Sequence, residues 1–198
     1  MNTRTTLWTL ALATMLSTLA SATAAADWTL DPAASSLGFV SVKNGSIAEG
    51  HRFEALSGEV TGGHARLTID LASVDTSIEI RDQRMRDLLF EVADFPQAVF
   101  ETEISPMAVS GLAVGGSMPM EVSGTLSIHG VSVPLTAALL VTRDASDRIS
   151  VATTKPLVLS VEALGLSAGV ARLQEIAGLA GITPMVPVAF SLTFDAVP

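Results

Sequence analysis

Side chains that commonly carry catalysis or bind metals are sparse in this sequence. The 198 residues include three histidines, His51, His64 and His129, and no cysteine. The absence of cysteine excludes thiolate zinc sites, thiol nucleophiles and disulfides. The histidines lack the short spacing of a metal-ligand motif, although a fold could still bring them together. We therefore expect solvated or hydrogen-bonded histidines and predict no metal site.

Motifs for phosphate binding and acid–base catalysis are also missing. Neither a P-loop nor a G-x-G-x-x-G pattern occurs. Glu101 and Glu103 would share one strand face, and we interpret them as solvated carboxylates. The dense charges of segment 81–87 are typical of a solvated helix face. The sequence therefore predicts no catalytic residue, and we expect a protein that is not an enzyme.

Period-two alternation of apolar and polar residues dominates the chain after residue 26 and indicates β-strands. Leu67, Ile69 and Leu71, for example, share one face of a predicted strand. Turn signals such as Asn44-Gly45 and Gly62-Gly63 separate the alternating segments. Eight strands are predicted, at 37–42, 66–71, 98–104, 122–129, 133–142, 149–154, 157–161 and 186–195.

Two segments follow a helical period instead. Segment 81–90 spaces Met85, Leu88 and Leu89 at i, i+3 and i+4, which predicts a short amphipathic helix. Segment 169–179 shows the same spacing. We predict an all-β fold, an eight-stranded antiparallel barrel with one or two short helices. A two-sheet sandwich is the competing architecture.

The first 26 residues have the layout of a secretory signal peptide. Arg4 precedes an apolar run at 7–16, and small residues with Ala-x-Ala patterns follow up to Ala26. A membrane anchor is the alternative, but the apolar run is short for a spanning helix. We predict cleavage near Ala26, a mature barrel domain at 27–198 without a stable membrane span, and a periplasmic location. Loss of Arg4 takes the formal charge from −9 to −10.

The composition excludes two further classes of protein. Apolar residues make up 48% of the chain and the mean hydropathy is +0.49, whereas intrinsic disorder requires low hydrophobicity. The acidic balance lacks the basic surface that nucleic-acid binding needs, so no nucleic-acid partner is expected. The residues alone leave open whether the apolar side chains fill a solid core or line a hollow barrel.

Several motifs in a fixed order resemble the YceI-like family of secreted polyisoprenoid-binding proteins. They are Trp28-Thr29-Leu30-Asp31-Pro32, Arg81-Asp82, Asp94-Phe95-Pro96 and Gly124-Thr125-Leu126-Ser127-Ile128-His129-Gly130. The resemblance implies an extended lipocalin-like barrel of eight strands that holds a long isoprenoid or another amphiphilic lipid. It therefore favours a hollow barrel over a filled one. No other cofactor is expected, although the bound molecule could be an isoprenoid or a quinone-like lipid.

Two groups of residues are candidates for contact with such a ligand. The inward-facing residues of the strands are the candidate lining of the barrel: Phe39, Leu67, Ile69, Leu71, Phe100, Leu126, Ile128, Leu139, Phe190 and Leu192. Bulky apolar residues of segment 75–100 are the candidate mouth or lid: Met85, Leu88, Leu89, Phe90 and Phe95. An interaction module with a solid core and an enzyme acting on a lipid or quinone-like substrate remain as alternatives. The sequence leaves open whether the protein has a protein partner or forms a homodimer.

Overall fold

The computed structural model describes residues 27–105, 109 and 111–197, and the predicted signal peptide at 1–26 lies outside them. The described chain is mostly β-structure. Its strands are β1 Trp28–Leu30, β2 Ser36–Lys43, β3 Ile47–Phe53, β4 Leu56–Thr61, β5 His64–Asp70, β6 Val74–Asp75, β7 Gln97–Glu103, β8 Ser117–Ile128, β9 Val131–Ala145, β10 Arg148–Thr153, β11 Leu157–Ser160 and β12 Met185–Ala196.

The strands close into a barrel in which every pairing is antiparallel. The hydrogen-bonded order is β1-β4-β5-β7-β8-β9-β10-β12, and β12 pairs back with β1. The barrel wall has eight strand positions, which we call staves. Five staves are single strands, and three consist of two consecutive strands each, namely β1 with β2, β3 with β4, and β10 with β11. The predicted all-β, eight-stranded antiparallel barrel is confirmed: the ring is closed by the β1–β12 pairing, while β6 and β11 each pair with a neighbour on one side in the described structure.

The assignment of individual strands differs from the sequence prediction, which did not include β1, β3, β4 or β6. The predicted strands 149–154 and 157–161 are two segments of one stave, because β10 and β11 pair with successive parts of β12. The eighth stave is instead formed by β3 and β4, which the alternation pattern did not identify. The inward face of β3 carries Glu49, His51 and Phe53, so it does not alternate between apolar and polar residues.

Two helices cover one end of the barrel. Helix α1 spans Glu79–Arg84 and continues as a π-helical turn at Met85–Leu89, in which the Phe90 N–H donates to the Met85 carbonyl at 2.9 Å. Helix α2 spans Ser167–Ala177. A Cβ atom at Gly169 would lie 2.7 Å from the Leu88 carbonyl oxygen, so only glycine lets α2 pack this closely on the π-helical turn.

The β2–β3 hairpin projects at the same end and is tied to the segment that follows α2. The Asn44 N–H donates to the Gly181 carbonyl at 2.8 Å, and the Thr183 N–H donates to the Val42 carbonyl at 2.8 Å. We call the opening between this hairpin and α1 the mouth. At the opposite end, Val109 and Leu112 pack on a buried cluster that contains Trp28. No helix in the described part of the chain is long and apolar enough to cross a membrane.

Candidate functional site

The barrel is hollow and encloses a cavity of about 540 Å³. Cavities of roughly 300–1,000 Å³ with mostly apolar walls are typical of small-molecule sites. Apolar side chains from β2, β5, β7, β8, β9 and β12 form most of the wall. The interior therefore has room for a guest molecule of hydrocarbon character.

All ten residues predicted to line the barrel lie on the wall of this cavity. Seven are buried: Leu67, Ile69, Leu71, Leu126, Ile128, Leu139 and Leu192. The rings of Phe39, Phe100 and Phe190 are partly buried and pack against the same cluster. The Phe100 ring lies over Gly124 of the neighbouring strand, where a Cβ would come within 2.7 Å of it.

The candidate mouth residues divide into two groups. Met85, Leu89 and Phe90 line the cavity, whereas Leu88 and Phe95 do not. The difference for Leu88 follows from the π-helical turn, whose wider winding turns Leu89 and Phe90 inward together with Met85. The Phe95 ring packs on the outside, with its centre 4.6 Å from that of His129.

One wall of the cavity becomes more polar towards the mouth. The inward residues of β2 and β3 are opposed in register as Leu37–Phe53, Phe39–His51 and Ser41–Glu49. The first pair is apolar, the second has one polar ring, and the third is polar throughout. A molecule lying along this wall would therefore meet increasing polarity in the direction of the mouth.

His51 is the most enclosed polar residue of this wall, with only 8% of its surface exposed. Its Nε2 lies 2.8 Å from Ser41 Oγ, and its ring centre lies 5.1 Å from that of Phe39. Its Nδ1 is buried and has no hydrogen-bond partner among the described residues. Burial first, and then the positive charge of Arg81, lowers the pKa of His51 below its usual value, which favours the neutral ring.

Glu49 joins the hairpin to α1 at the mouth. Its Oε2 lies 2.9 Å from Lys43 Nζ and 2.9 Å from Arg81 Nη1. The hydrogen bond from Lys43 is the main cause that lowers the pKa of Glu49, so the carboxylate stays ionised. Arg81 also donates to the Thr76 carbonyl at 2.6 Å, and the Thr76 hydroxyl donates to the buried Asp82 carboxylate. Arg81 and Asp82 are thus structural parts of the mouth rather than a solvated helix face.

Apolar side chains also lie at the edge of the mouth, which we call the rim. Ile78 and Ile80 are 45% and 57% exposed, yet both contribute to the cavity wall. Leu179 and Ile182 line the cavity from the segment after α2. A hydrocarbon chain that enters the cavity from solvent would therefore contact apolar side chains along the mouth.

The other two histidines lie away from the cavity wall. His64 Nδ1 lies 2.8 Å from Glu103 Oε1, and this hydrogen bond raises the pKa of His64. His129 Nε2 lies 3.0 Å from Glu91 Oε2 at the β8–β9 turn. Over the described residues, no three His, Asp or Glu side chains are grouped as metal ligands.

One residue of the site and one motif outside it were not identified from the sequence. His51 was not assigned to the cavity. A two-residue turn at Asn44-Gly45 would pair Phe39 with Gly50, whereas the three-residue loop 44–46 of the structure shifts the register by one and pairs Phe39 with His51. The pattern Gly165-Leu166-Ser167-Ala168-Gly169 matches the Gly-x-Ser-x-Gly signature of serine hydrolases. Ser167 is exposed at the start of α2 and lies outside the cavity wall, and a turn rather than a strand precedes it. Six residues separate the end of β11 from Ser167, so the sharp strand-to-helix turn of a nucleophile elbow is not formed here.

Comparisons with known proteins agree on one family. The family model for the YceI-like domain matches residues 28–194. A solved polyisoprenoid-binding domain from Saccharophagus degradans is 42% identical, with a TM-score of 0.84 over 86% of this chain and 98% of that one. No curated protein matches the sequence.

More distant solved structures share the fold. BcnA of Burkholderia cenocepacia is 22% identical, with a TM-score of 0.64 over 83% of this chain and 98% of that one. A YceI protein of Campylobacter jejuni is 14% identical, with a TM-score of 0.54 over 75% of this chain and 84% of that one. The barrel is thus retained at low sequence identity.

Proposed function

The chain belongs to the YceI-like domain family, and from that premise we propose that it is a non-catalytic protein that binds a polyisoprenoid or similar amphiphilic lipid inside its barrel. The single observation that carries the proposal is the apolar cavity of about 540 Å³. The polyisoprenoid-binding domain of Saccharophagus degradans, at 42% identity, supports the same class of ligand.

The physical basis of binding is the removal of hydrocarbon from water. Each buried CH₂ group contributes about 0.8 kcal/mol. A long isoprenoid chain could therefore be held by the aliphatic wall without a charged partner. The exposed Ile78 and Ile80 at the rim support entry and exit of the chain through the mouth.

Filling the cavity tests the proposal. Ala137 is buried on β9 and lines the cavity, so the ring in Ala137→Phe should enter the cavity. We expect the affinity for a fluorescent isoprenoid to fall by about tenfold or more, since the phenylalanine ring would exclude part of the isoprenoid from the cavity. The melting temperature should change little, because the cavity accepts the added volume.

A matched control separates occlusion from a general effect of the larger side chain. Ala189 is exposed on β12 and does not line the cavity, so Ala189→Phe should bind the probe like the wild type. Equal uptake by Ala137→Phe and the wild type would contradict binding in the cavity. Absence of uptake by the wild type would contradict the lipid-binding function itself.

A second candidate is an enzyme acting on a lipid or quinone-like substrate, and one contact favours it. Ser41 Oγ lies 2.8 Å from His51 Nε2, as a nucleophile lies beside its base. In a catalytic triad a carboxylate accepts from the other ring nitrogen, whereas His51 Nδ1 has no such partner in the described part of the chain. Incubation with a long-chain p-nitrophenyl ester should therefore give no turnover that Ser41→Ala abolishes. A burst dependent on Ser41 would favour the enzyme.

We also propose that residues 1–26 direct export and that the mature protein acts in the periplasm. The charged start, apolar run and small residues of this segment support cleavage near Ala26. N-terminal sequencing of the protein from a periplasmic extract should begin at Asp27. Retention of Met1 in that material would contradict cleavage.

A further inference from the structure

We propose that His51 is the hydrogen-bonding site for the polar end of the bound lipid, and that this end is an uncharged oxygen group, either a hydroxyl or a carbonyl. This inference rests on the proposed lipid-binding function and adds the orientation and the head-group chemistry of the ligand. The polar end would lie beside Ser41 and Phe39, with the hydrocarbon chain extending away from the mouth.

The first argument is the unpartnered nitrogen. His51 is more than nine-tenths buried and lines the cavity, and its Nδ1 has no partner in the described part of the chain. Burial of a polar atom without a hydrogen bond is unfavourable, and such groups in native proteins call for an explanation. A ligand oxygen would supply the missing hydrogen bond.

The second argument is that several other polar side chains of the cavity wall are already engaged, while Glu59 and Arg84, which also line the cavity, are not buried. The Thr102 hydroxyl donates to the Ser123 carbonyl at 2.8 Å. Glu49 is bound by Lys43 and Arg81, and Arg66 is paired with Glu101. Among the described residues, His51 Nδ1 is the buried side-chain nitrogen or oxygen that lacks a partner.

The third argument is position along the wall. His51 and Phe39 lie between the apolar pair Leu37–Phe53 and the polar pair Ser41–Glu49. An amphiphile therefore matches both parts of the wall with its polar end at His51 and its chain directed towards Leu37 and Phe53. The opposite orientation would leave the polar end among apolar side chains.

The fourth argument concerns charge. Burial and the positive charges of Arg81 and Lys43 oppose protonation of His51, while Glu49 and Asp82 favour it, and burial dominates. A neutral ring offers one donor or one acceptor at Nδ1 and no net charge for a phosphate. If the Ser41 hydroxyl donates to Nε2, Nδ1–H can donate to a carbonyl. If Nε2–H donates to Ser41, Nδ1 accepts from a hydroxyl.

Four probes that share one chain test the head group in the purified wild-type protein. They are geranylgeraniol, the aldehyde geranylgeranial, the matching hydrocarbon without oxygen, and geranylgeranyl diphosphate. Their affinities are measured by displacement of a fluorescent isoprenoid. We expect the alcohol or the aldehyde to bind about tenfold more tightly than the hydrocarbon, the scale of one added buried hydrogen bond. Because a carbonyl only accepts whereas a hydroxyl both donates and accepts, a gain with both the aldehyde and the alcohol identifies Nδ1 as a donor, and a gain with the alcohol alone identifies it as an acceptor.

Two variants assign the effect to His51. His51→Phe should bind the hydrocarbon as the wild type does and lose the preference for the oxygenated probe. His64→Phe makes the same change at an exposed residue outside the cavity wall and should keep the preference. If His51→Phe fails to fold, histidine ¹⁵N NMR of the wild type replaces it. The His51 Nδ1 signal should then shift with the oxygenated probe and not with the hydrocarbon.

The outcomes separate this inference from the proposed function. Equal affinity for the alcohol, the aldehyde and the hydrocarbon would overturn the head-group site and leave lipid binding intact. Tightest binding of the diphosphate, unchanged in His51→Phe, would also overturn it and assign a charged head group to the mouth. Failure of every probe to bind would instead overturn the proposed function.

Discussion

At the scale of single residues, the Ser41–His51 pair is the feature that departs from an otherwise apolar interior. The pair lies on a wall whose neighbours are phenylalanine rings, with Phe39 centred 5.4 Å from Phe53 and Phe53 centred 5.8 Å from Phe90. A neutral, half-satisfied imidazole in such surroundings lowers stability when the barrel is empty, because its Nδ1 loses water and gains no partner. A ligand that hydrogen-bonds to His51 Nδ1 would therefore remove this loss of stability.

The pH dependence of stability should carry the signature of His51. Burial lowers its pKa in the folded protein, so the unfolded chain binds the proton more readily as pH falls below about 6.5. Stability contributed by the neutral ring is thus lost as pH falls through the unfolded pKa. In thermal melts of the ligand-free protein between pH 7 and pH 5, the wild type should lose stability relative to His51→Gln.

A paired measurement on His64 provides the control for that series. Its hydrogen bond to Glu103 raises its pKa, so its contribution is present at low pH and is lost as pH rises through the folded value. His64→Gln should therefore show the opposite trend relative to the wild type. Parallel curves for the wild type and His51→Gln would show that His51 titrates alike in both states.

At the scale of elements, the mouth depends on how α1, its π-helical turn and α2 are packed. The π-helical turn directs Met85, Leu89 and Phe90 into the cavity, and α2 rests on its backbone at Gly169. π-Helical turns occur often at functional sites. Adding a single methyl group at Gly169 would therefore disturb the packing of α2 on the π-helical turn at the mouth.

Gly169→Ala should loosen the mouth. The added Cβ would lie 2.7 Å from both the Leu88 carbonyl oxygen and the Leu89 Cα, and backbone atoms cannot rotate away. We expect a loss of about 1–3 kcal/mol in stability, the usual cost of overpacking, and faster release of a bound fluorescent lipid. Stopped-flow dissociation and thermal melts measure the two effects.

Gly181→Ala serves as the matched change near the same mouth, because a Cβ there meets no atom within 4 Å. It should leave both the release rate and the stability close to those of the wild type. If Gly169→Ala behaves like Gly181→Ala, the close packing of α2 on the π-helical turn is unimportant for retaining ligand.

The elements also show why sequence patterns predicted part of the site and missed the rest. Strict alternation predicts that Leu67, Ile69 and Leu126 face inward, and the structure places them on the cavity wall. Strand β3 presents Glu49 and His51 on its inward face, so hydrophobic alternation cannot reveal it. Leu88, a predicted mouth or lid residue, does not line the cavity, because a π-helical turn shifts the inward positions by one residue, which an α-helical pattern does not anticipate.

At the scale of the whole molecule, a hollow barrel without disulfides must rely on burial of its apolar wall for stability. The chain has no cysteine. The closed ring of strands surrounds a cavity, and the side chains that line it have no packing partners on the cavity side. A ligand that binds only the folded state stabilises it by an amount that grows with the logarithm of the ligand concentration relative to its Kd. The protein should therefore melt at a higher temperature when loaded.

The sequence could not establish that the barrel is hollow. Inward-facing Leu, Ile and Phe residues are required both by a filled core and by the wall of a lipid site, so alternation is the same in the two cases. The difference lies in the volume that the closed ring of eight staves encloses beyond its own side chains, about 540 Å³. That volume follows from strand pairing across the whole chain and not from any local pattern.

The most direct test of the central claim is native mass spectrometry of the protein after gentle purification from its natural compartment. The account predicts a mass above that of the bare chain, with an excess that is released on denaturation and extracts as an isoprenoid or related lipid. Ala137→Phe, prepared in the same way, should lack most of that excess, and Ala189→Phe should retain it. A wild-type protein that carries no lipid and takes up none when offered would contradict the account.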